Sequence, residues 1–286
     1  MHPRGLPEHL ASQRRTLVMA VLNVTPDSFS DGGRFLAPED AVARAREQVA
    51  AGADIIDVGG ESTRPGAERI PVAEELDRVL PVVRALAAEG TVVSIDTMRA
   101  EVARAAVAAG ASLVNDVSGG LADPEMPACL TEFDVPYVAM HWRGHSTDMD
   151  ALATYGDVVA EVCGELRARL DALAASGVDL DRVVVDPGLG FAKAPAHNWS
   201  LLRAMPELMA LGHPVLVGAS RKRFLGELLA EGGAPRPVWQ RDAATDAVTA
   251  LASAAGAWAV RVHEARGSRD AVAVASRWRG EGEDRA

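Results

Sequence analysis

Eight short apolar runs recur along this chain, and each ends at a polar or charged side chain. Segments with helical spacing of Ala, Leu and Val separate the runs, and a glycine usually stands where a helix is expected to end. Strict alternation of strand and helix requires a parallel sheet, and nearly continuous apolar strands indicate burial on both faces. The predicted strands cover residues 17–24, 55–60, 92–97, 113–117, 136–142, 183–188, 215–220 and 258–263.

This pattern predicts an α/β fold, a (β/α)8 TIM barrel that forms a single domain over residues 17–279. Such barrels commonly occupy about 250 residues and carry the active site at the carboxyl ends of their strands. An open doubly wound sheet is the competing architecture, but it usually binds ligand at one switch point, whereas polar residues here follow nearly all strands. Residues 1–16 and 280–286 are predicted to be flexible. The predicted helices are 38–51, 72–88, 99–109, 157–175, 197–211, 221–229, 242–255 and 268–278.

Charge and cysteine usage narrow the class of protein. The formal net charge of -11 argues against a general binder of nucleic acid or of an anionic membrane, because those partners select basic surfaces. No run reaches the roughly 18 apolar residues of a membrane helix, and no cleavable leader is recognisable. Cys129 and Cys163 lack metal-ligand spacing and are interpreted as inert thiols. We therefore expect a cytoplasmic protein that binds neither nucleic acid nor membrane.

Three residues at strand ends, Asp96, Asn115 and Asp186, are predicted to face the barrel mouth. A carboxylate can accept two parallel N–H bonds from an amidine-like group, and an amide offers both a donor and an acceptor. Together they suit the hydrogen-bonding edge of a flat heterocycle. For each one alone, a helix cap or an ion-pair partner is an equally good interpretation.

Two basic clusters, residues 220–222 and 261–263, supply positive charge that the chain as a whole lacks. Strand alternation puts Arg261 and His263 on the same side, and the seventh and eighth strands of barrels often hold phosphate. The clusters therefore predict a phosphorylated substrate. The alternative is a surface ion pair with Asp242 or Glu264. His141 ends the fifth strand and is either an acid–base group or a satisfied polar residue.

Other chemistries lack their motifs. The chain has no nucleophile elbow, no complete dinucleotide fingerprint and no zinc cluster. Without a protein nucleophile or a redox cofactor, we expect a direct displacement reaction in which the site stabilises the developing charge. The connections 23–36, 61–70 and 143–155 are longer than the others, and the first two combine turn residues with Phe29 or Arg64, so they are predicted to be active-site lids.

Seven motifs in chain order resemble those of the dihydropteroate synthase family, and the overall look is that of its actinobacterial members. They are NVTPDSFSDGG at 23–33, DVGGESTRPG at 57–66, SIDT at 94–97, NDVSGG at 115–120, DPGLGFAK at 186–193, GASRKRF at 218–224 and RVH at 261–263. The resemblance extends from about residue 17 to 278 and shows no departure at the family's functional positions.

The resemblance implies a transferase of folate biosynthesis. The expected reaction joins 6-hydroxymethyl-7,8-dihydropterin pyrophosphate to p-aminobenzoate, giving 7,8-dihydropteroate and pyrophosphate with magnesium. It implies pterin contacts from Asp96, Asn115, Met140, Asp186, Phe191, Gly218, Lys222 and Arg261. It implies pyrophosphate contacts from Asn23, Thr63, Arg261 and His263, with Asn23 touching magnesium, and p-aminobenzoate contacts from Phe29, Thr63, Arg64, Pro65 and Ser220. Asp31, Asp186, Lys222, Arg261 and His263 are the implied catalytic residues.

Two other functions stay open at this point. A pterin-binding methyltransferase shares the barrel and pterin pocket but needs no pyrophosphate site, and a non-catalytic paralogue would bind pterin without turnover. The resemblance also implies a homodimer and inhibition by sulfonamides, which imitate p-aminobenzoate. The helices near residues 242–255 and 278 could supply a dimer face, although core packing explains the same residues equally well.

Overall fold

A computed structural model of the chain describes residues 1–25, 37–61, 69–144 and 151–280. Its centre is a parallel sheet of eight strands. All eight strands predicted from the sequence are present, each within a residue or two of its expected start. They are β1 (Leu17–Asn23), β2 (Ile55–Gly59), β3 (Val93–Asp96), β4 (Leu113–Asp116), β5 (Tyr137–Met140), β6 (Val183–Asp186), β7 (Leu216–Val217) and β8 (Ala259–Val262).

The sheet closes on itself. Hydrogen-bonded neighbours run in the order β6-β5-β4-β3-β2-β1-β8-β7, so the first and last strands of the sequence are paired. A parallel bridge between Val185 and Val215 joins the two remaining edges. The fold is therefore the predicted (β/α)8 barrel, and the alternative of an open doubly wound sheet is wrong.

Helices follow the strands around the outside, except for the first helix, which precedes the first strand. They are α1 (Glu8–Ala11), α2 (Pro38–Ala50), α3 (Val72–Ala88), α4 (Ala100–Ala108), α5 (Met126–Leu130), α6 (Val158–Ala175), α7 (Pro195–Arg203), α8 (Met205–Met209), α9 (Arg223–Leu228), α10 (Asp242–Ala254) and α11 (Ala265–Trp278). Gly52 and Gly110, which follow α2 and α4, have φ angles of 105° and 110°. Side chains other than glycine rarely adopt such angles, which explains why glycine marks these helix ends.

Around the barrel, the helices differ from the prediction in two places. The predicted helix 197–211 is two helices, α7 and α8, because Pro206 cannot donate its backbone nitrogen within a continuous helix. Helix α5 was not predicted. It has only five residues, with Pro127 in its first turn, and such a short segment carries almost no periodic signal.

Side chains alternate between two apolar layers along each strand. Leu17 and Met19 of β1 belong to a cluster inside the barrel, whereas Val18 and Ala20 belong to the larger cluster between sheet and helices. Ile55 and Ile56 of β2 divide in the same way. The inner cluster fills the end where the strands begin, so the inward residues near the strands' carboxyl ends form the mouth.

The amino-terminal segment, expected to be flexible, covers the end of the barrel opposite the mouth. It contains helix α1, and Leu6 and Leu10 are buried within the inner apolar cluster. These two leucines shield the apolar residues at the start of the strands from water, which explains why a largely polar segment packs here. The predicted tail lies outside the described residues apart from Gly280. Within the described parts of the chain, none of the helices is both apolar and long enough for a membrane span.

Candidate active site at the carboxyl end of the barrel

Strand alternation brings the predicted polar residues to one place. Asp96 and Asn115 stand opposite each other in the ladder between β3 and β4, and Met140 stands opposite Asp186 between β5 and β6. All four are buried, although three of them are polar. Buried polar groups require partners, so the contacts of these side chains define what the mouth can bind.

Arg261 of β8 organises one side of the mouth. Its Nε donates to Asp57 Oδ2 at 2.6 Å, and its Nη2 donates to Asp96 Oδ2 at 2.6 Å. Asn115 Nδ2 also donates to Asp57 Oδ2, at 2.9 Å. One carboxylate oxygen of Asp57 therefore fixes both an arginine and an amide that belong to different strands.

Burial and mutual attraction set the charges of this cluster. The pKa of Asp96 is raised from its ordinary value to about 7, mainly by burial, while the Arg261 charge opposes the rise and the Asp57 charge adds to it. Burial acts to lower the pKa of Arg261, but the charges of Asp57 and Asp96 outweigh burial and raise it. Arg261 is therefore a permanent cation, and Asp96 can change protonation near neutral pH.

Asp186 and Lys222 form the other side. The pKa of Asp186 is raised by burial, which the Lys222 charge partly offsets, and its Oδ1 accepts the Gly188 amide at 2.7 Å. Burial lowers the pKa of Lys222 to about 8, against the pull of Asp186. The Lys222 ammonium donates to the Leu189 carbonyl and lies 4.6 Å from the centre of the Phe191 ring. A cation over an aromatic face and beside a carboxylate is a setting for a planar polar ligand.

Gly218 lies between the two sides. A side-chain carbon added there would stand 3.7 Å from Asp186 Oδ2, 3.8 Å from Lys222 Nζ and 3.9 Å from Arg261 Cβ. The absence of a side chain at residue 218 leaves space that all three charged residues border. A flat ligand could therefore meet Asp186, Lys222 and Arg261 at once.

Ser220 and His263 extend the mouth from the seventh and eighth strands. Ser220 Oγ accepts the His263 backbone N–H at 3.1 Å and lies 2.9 Å from His263 Nδ1. The contact between Ser220 Oγ and Nδ1 fits either tautomer of the ring; when the hydroxyl donates to Nδ1, the ring proton lies on Nε2. His263 then presents an N–H donor, as an anionic group requires.

Asn23 ends β1 beside Gly59, its ladder partner in β2. A carbon added to Gly59 would lie 3.6 Å from Asn23 Oδ1 and 3.7 Å from Asp96 Oδ2. Gly59 therefore keeps open a small space that two oxygens border. Within the ranges that the structure describes, no group of three or more His, Cys, Asp or Glu is arranged for a metal. A single amide oxygen fits Mg²⁺, which binds few protein ligands and takes its others from water and substrate phosphates.

Arg221 and Arg261, the arginines of the two predicted basic clusters, differ in environment. Arg221 makes a bidentate ion pair with Asp242, with distances of 2.6 and 2.8 Å, so the alternative interpretation as an ion pair is confirmed for Arg221. That interpretation is wrong for Arg261, whose partners lie inside the barrel.

His141 is buried, with one ring nitrogen 2.9 Å from Lys193 Nζ and the other 2.8 Å from Glu165 Oε2. It is therefore a polar residue with both ring nitrogens satisfied.

Five predicted site residues lie outside the described residues: Phe29, Asp31, Thr63, Arg64 and Pro65. In contrast, the site prediction omitted two residues that the structure brings into the mouth, Asp57 and Lys193. The available signal for Asp57 was a lone carboxylate inside a buried strand, since ionised groups are seldom fully buried without partners. Asp116, next to Asn115, points the other way and accepts bonds from Ser118, Gly120 and Tyr137.

Residues 19–263 match the family described as pterin binding enzyme. The mouth and the match together define a pterin-binding barrel enzyme. The chain is 57% identical over 263 residues to the dihydropteroate synthase of Mycobacterium leprae, covering 91% of this chain and 93% of that protein. A solved Xanthomonas albilineans dihydropteroate synthase with 4-aminobenzoic acid is 44% identical, covers 93% of each chain and superposes with a TM-score of 0.85. The Yersinia pestis enzyme in a sulfonamide complex is 37% identical, with a TM-score of 0.89 over 98% of this chain and 99% of that chain.

The chain thus belongs to the dihydropteroate synthase family of pterin-binding enzymes.

Proposed function

We propose that this chain condenses 6-hydroxymethyl-7,8-dihydropterin pyrophosphate with p-aminobenzoate, releasing pyrophosphate and 7,8-dihydropteroate. The observation that carries the proposal is the pair of facing charged groups in the mouth. Arg261 is fixed by Asp57 and Asp96 on one side, Asp186 is buried beside Lys222 on the other, and Gly218 leaves space between them. Solved relatives hold 4-aminobenzoic acid and 7,8-dihydropteroate.

The pterin ring would occupy that space. The Asp186 carboxylate can accept the two parallel N–H bonds of the amidine-like edge, while Asn115 and Asp96 supply further hydrogen bonds. Lys222 donates at the ring's polar edge, and Met140 and Phe191 form apolar walls. Arg261 would lie over the ring, held there by the bonds that Asp57 and Asp96 accept from it.

Pyrophosphate would extend from the ring toward Asn23, His263 and Arg261, with Thr63 beside it. The Nε2–H of His263 and the Arg261 guanidinium are donors suited to phosphate oxygens. Asn23 would hold Mg²⁺ through its amide oxygen. When bound, the ion supplies positive charge that neutralises the leaving group.

p-Aminobenzoate would approach from the side of Ser220, framed by Phe29, Thr63, Arg64 and Pro65. A solved relative is a sulfonamide complex, and we propose that sulfonamides compete with p-aminobenzoate in this chain as well. Asp31 would help to secure the first long connection when the substrates are bound.

The reaction is a substitution at the exocyclic methylene of the pterin. The carbon–oxygen bond breaks and pyrophosphate leaves with the electron pair, while the dihydropterin ring delocalises the positive charge. The amine lone pair of p-aminobenzoate then forms the new carbon–nitrogen bond, and a proton leaves the nitrogen to water or pyrophosphate. Asp186 and Lys222 orient the ring and set its charge, so the residues act by positioning and electrostatics rather than as a nucleophile.

The test is magnesium-dependent formation of dihydropteroate from the two substrates, with labelled p-aminobenzoate. Lys222→Ala and Asp186→Asn should lose most turnover, about a hundredfold or more, since each removes a charged contact to the reacting ring. Arg223→Ala is the matched control, because Arg223 adjoins Lys222 but is exposed and pairs with Glu227 on its own helix. Tight pterin binding without any product would instead identify a non-catalytic paralogue. Normal turnover by Asp186→Asn would contradict the role of its carboxylate.

A homodimer is also proposed. Leu251 of α10 and Val274 and Trp278 of α11 are large apolar side chains that are mostly exposed on two helices packed together. Such a face suits a second copy of the chain. Sedimentation equilibrium of the wild type and of Trp278→Glu would test it, since the variant should shift toward monomer. The cytoplasmic location stays a prediction.

A further inference from the structure

The chain has only two lysines, Lys193 and Lys222, among 29 lysine and arginine residues. Lys193 is buried and Lys222 is half-buried, and the charges of both act on Asp186. Lys222 already has a place in the proposed function, whereas Lys193 has none. The other 27 of these residues are arginines. Unlike a guanidinium, the compact ammonium of lysine can lose its charge when it is buried.

Lys193 is held beneath the turn that carries Phe191. Its ammonium donates to the Phe191 carbonyl at 3.0 Å and lies 2.9 Å from His141 Nδ1. The turn lies close to the His141 backbone because Gly188, with a φ angle of 67°, has no side chain. A side-chain carbon at residue 188 would collide with the His141 carbonyl oxygen. That carbon would also stand 3.3 Å from Lys193 Nζ. Lys193 therefore fills the space below the turn between Asp186 and Phe191.

His141 serves as the acceptor that orients Lys193. An ammonium has only donors, so Nδ1 must accept from Lys193, and the ring proton then lies on Nε2, which faces Glu165 Oε2 at 2.8 Å. Burial, and then the Lys193 charge, lower the pKa of His141 to about 3, which keeps the ring neutral. Glu165 also accepts from Arg143 at 2.5 Å. The polar chain from Arg143 through Glu165 and His141 to Lys193 is thus continuous.

The same turn has a second, uncharged support. The Tyr155 hydroxyl donates to the Ala192 carbonyl at 3.1 Å, and Ala192 has a φ angle of 46°, which is uncommon for a residue with a side chain. Tyr155 therefore stabilises the backbone of the turn without placing charge near Asp186. This contact offers a control that separates the shape of the turn from the charge of Lys193.

We propose that Lys193 is a positioning residue of the pterin site, which holds the Phe191 turn in place and, through its positive charge, keeps Asp186 ionised as an acceptor for the pterin. This role rests on the proposed function, because Asp186 is its point of contact with substrate. His141 is the acceptor that fixes the direction of the ammonium.

The charges that face Lys193 come from four elements: Asp186 of β6, Lys222 before α9, Arg143 after β5 and Glu165 of α6. Burial lowers the pKa of Lys193 to about 7, while Asp186 acts to raise it. The protonated form is therefore present below about pH 7 and is lost as the pH rises through that value. Below this pH the ammonium favours the Asp186 carboxylate, which strengthens pterin binding. Above it that contribution disappears.

The experiment compares Lys193→Gln with wild type. Glutamine keeps a hydrogen-bond donor for His141 or Phe191 but carries no charge, and Lys193→Met keeps neither. The dissociation constant of 6-hydroxymethylpterin, a non-reacting probe, is measured by calorimetry from pH 6 to 9. At pH 6 both variants should bind more weakly, by up to about tenfold for one pKa unit of coupling. The ratio of variant to wild type should fall toward one at pH 9, where Lys193 of the wild type has itself lost its charge.

Two controls decide the interpretation. Tyr155→Phe removes only the uncharged support, so any loss of affinity should be the same at every pH. Since the chain has two lysines, ¹³Cε-lysine labelling gives two side-chain signals, and the one missing in Lys193→Gln should titrate near pH 7 in the wild type. The titration itself is measured on the wild type, and Lys193→Gln serves only to assign the signal.

Wild-type affinity in Lys193→Gln, or a loss that stays constant from pH 6 to 9, would overturn the role of the charge. So would a Lys193 signal that does not titrate between pH 6 and 9. Failure of the proposed function has a different result: the wild type then forms no dihydropteroate, whatever the pterin affinity of the Lys193 variants.

Discussion

Asp57→Asn is the most informative single substitution for the mouth. Asp57 is completely buried, and one of its oxygens, Oδ2, accepts both Arg261 Nε and Asn115 Nδ2. The other oxygen, Oδ1, has no hydrogen-bond partner among the described residues. Asparagine can place its oxygen where Oδ2 lies and its amide nitrogen where Oδ1 lies. The substitution therefore keeps the shape and both accepted bonds, and it removes the charge.

The loss of this one charge determines the expected fall in stability. Hydrogen bonds to charged groups contribute about 1.5–3 kcal/mol each, and neutral ones about 0.5–1.5 kcal/mol. Arg261 keeps Asp96 as a charged partner at 2.6 Å. We expect the free energy of unfolding to fall by about 1–2 kcal/mol, which lowers the melting temperature of a chain this long by roughly 2–8 °C. Pterin affinity should fall about tenfold, because a weaker anchor lets Arg261 move from its position.

The assay combines thermal unfolding with calorimetric binding of 6-hydroxymethylpterin. Asp116→Asn is the matched control, since Asp116 is equally buried and accepts four hydrogen bonds, but from groups outside the barrel interior. It should destabilise the fold by more, because the asparagine nitrogen cannot accept two of those four bonds, and leave pterin affinity unchanged. Because the Asp57 charge helps to raise the pKa of Asp96, Asp57→Asn should also lower that pKa. Equal losses of pterin affinity in the two variants, or none in Asp57→Asn, would refute this account of Arg261.

Three further outcomes are expected. The pKa of Asp96 is raised to about 7, so its carboxylate is present above that pH, and its contribution to pterin affinity should decrease as the pH falls through it, opposite in sign to the Lys193 contribution; the ratio of Asp96→Asn to wild-type affinity from pH 5 to 8 would show this. Ser220→Ala removes the acceptor of the His263 backbone N–H and should weaken pyrophosphate binding about fivefold, but leave 6-hydroxymethylpterin binding unchanged. Removal of magnesium by chelation should abolish turnover and spare pterin binding, with recovery on adding Mg²⁺; undiminished turnover in the chelator would contradict the proposed role of Asn23.

The strands could be predicted because each carries a local signal. A short apolar run bounded by glycine or a polar residue is informative in itself, and the number of runs, with their strict alternation with helices, indicated a barrel. Closure through Val185 and Val215 could not be predicted residue by residue, since one bridge leaves no pattern in the sequence. Helix α5 was missed for a related reason: it lacks the repeating apolar positions of the longer helices.

The site was predictable only where position along a strand decides direction. Asp96, Asn115 and Asp186 face the mouth because strand alternation requires it. The contrast between Arg221 and Arg261 was not predictable, because it depends on which carboxylates the fold brings near each guanidinium. Asp242 meets Arg221 outside the barrel, and Asp57 meets Arg261 inside it. Lys193 follows a turn, where no strand alternation determines the direction of its side chain.

The balance of charge in the described mouth bears on the proposed metal. Three carboxylates, Asp57, Asp96 and Asp186, face three basic side chains, Lys193, Lys222 and Arg261. Such pairing offsets the cost of burying ionised groups and suits an uncharged pterin ring. It also means that these cations are largely neutralised before a pyrophosphate arrives, in a chain whose net charge is -11. A strongly anionic leaving group therefore needs positive charge that enters with it, which a magnesium ion bound to the substrate phosphates and touched by Asn23 would supply.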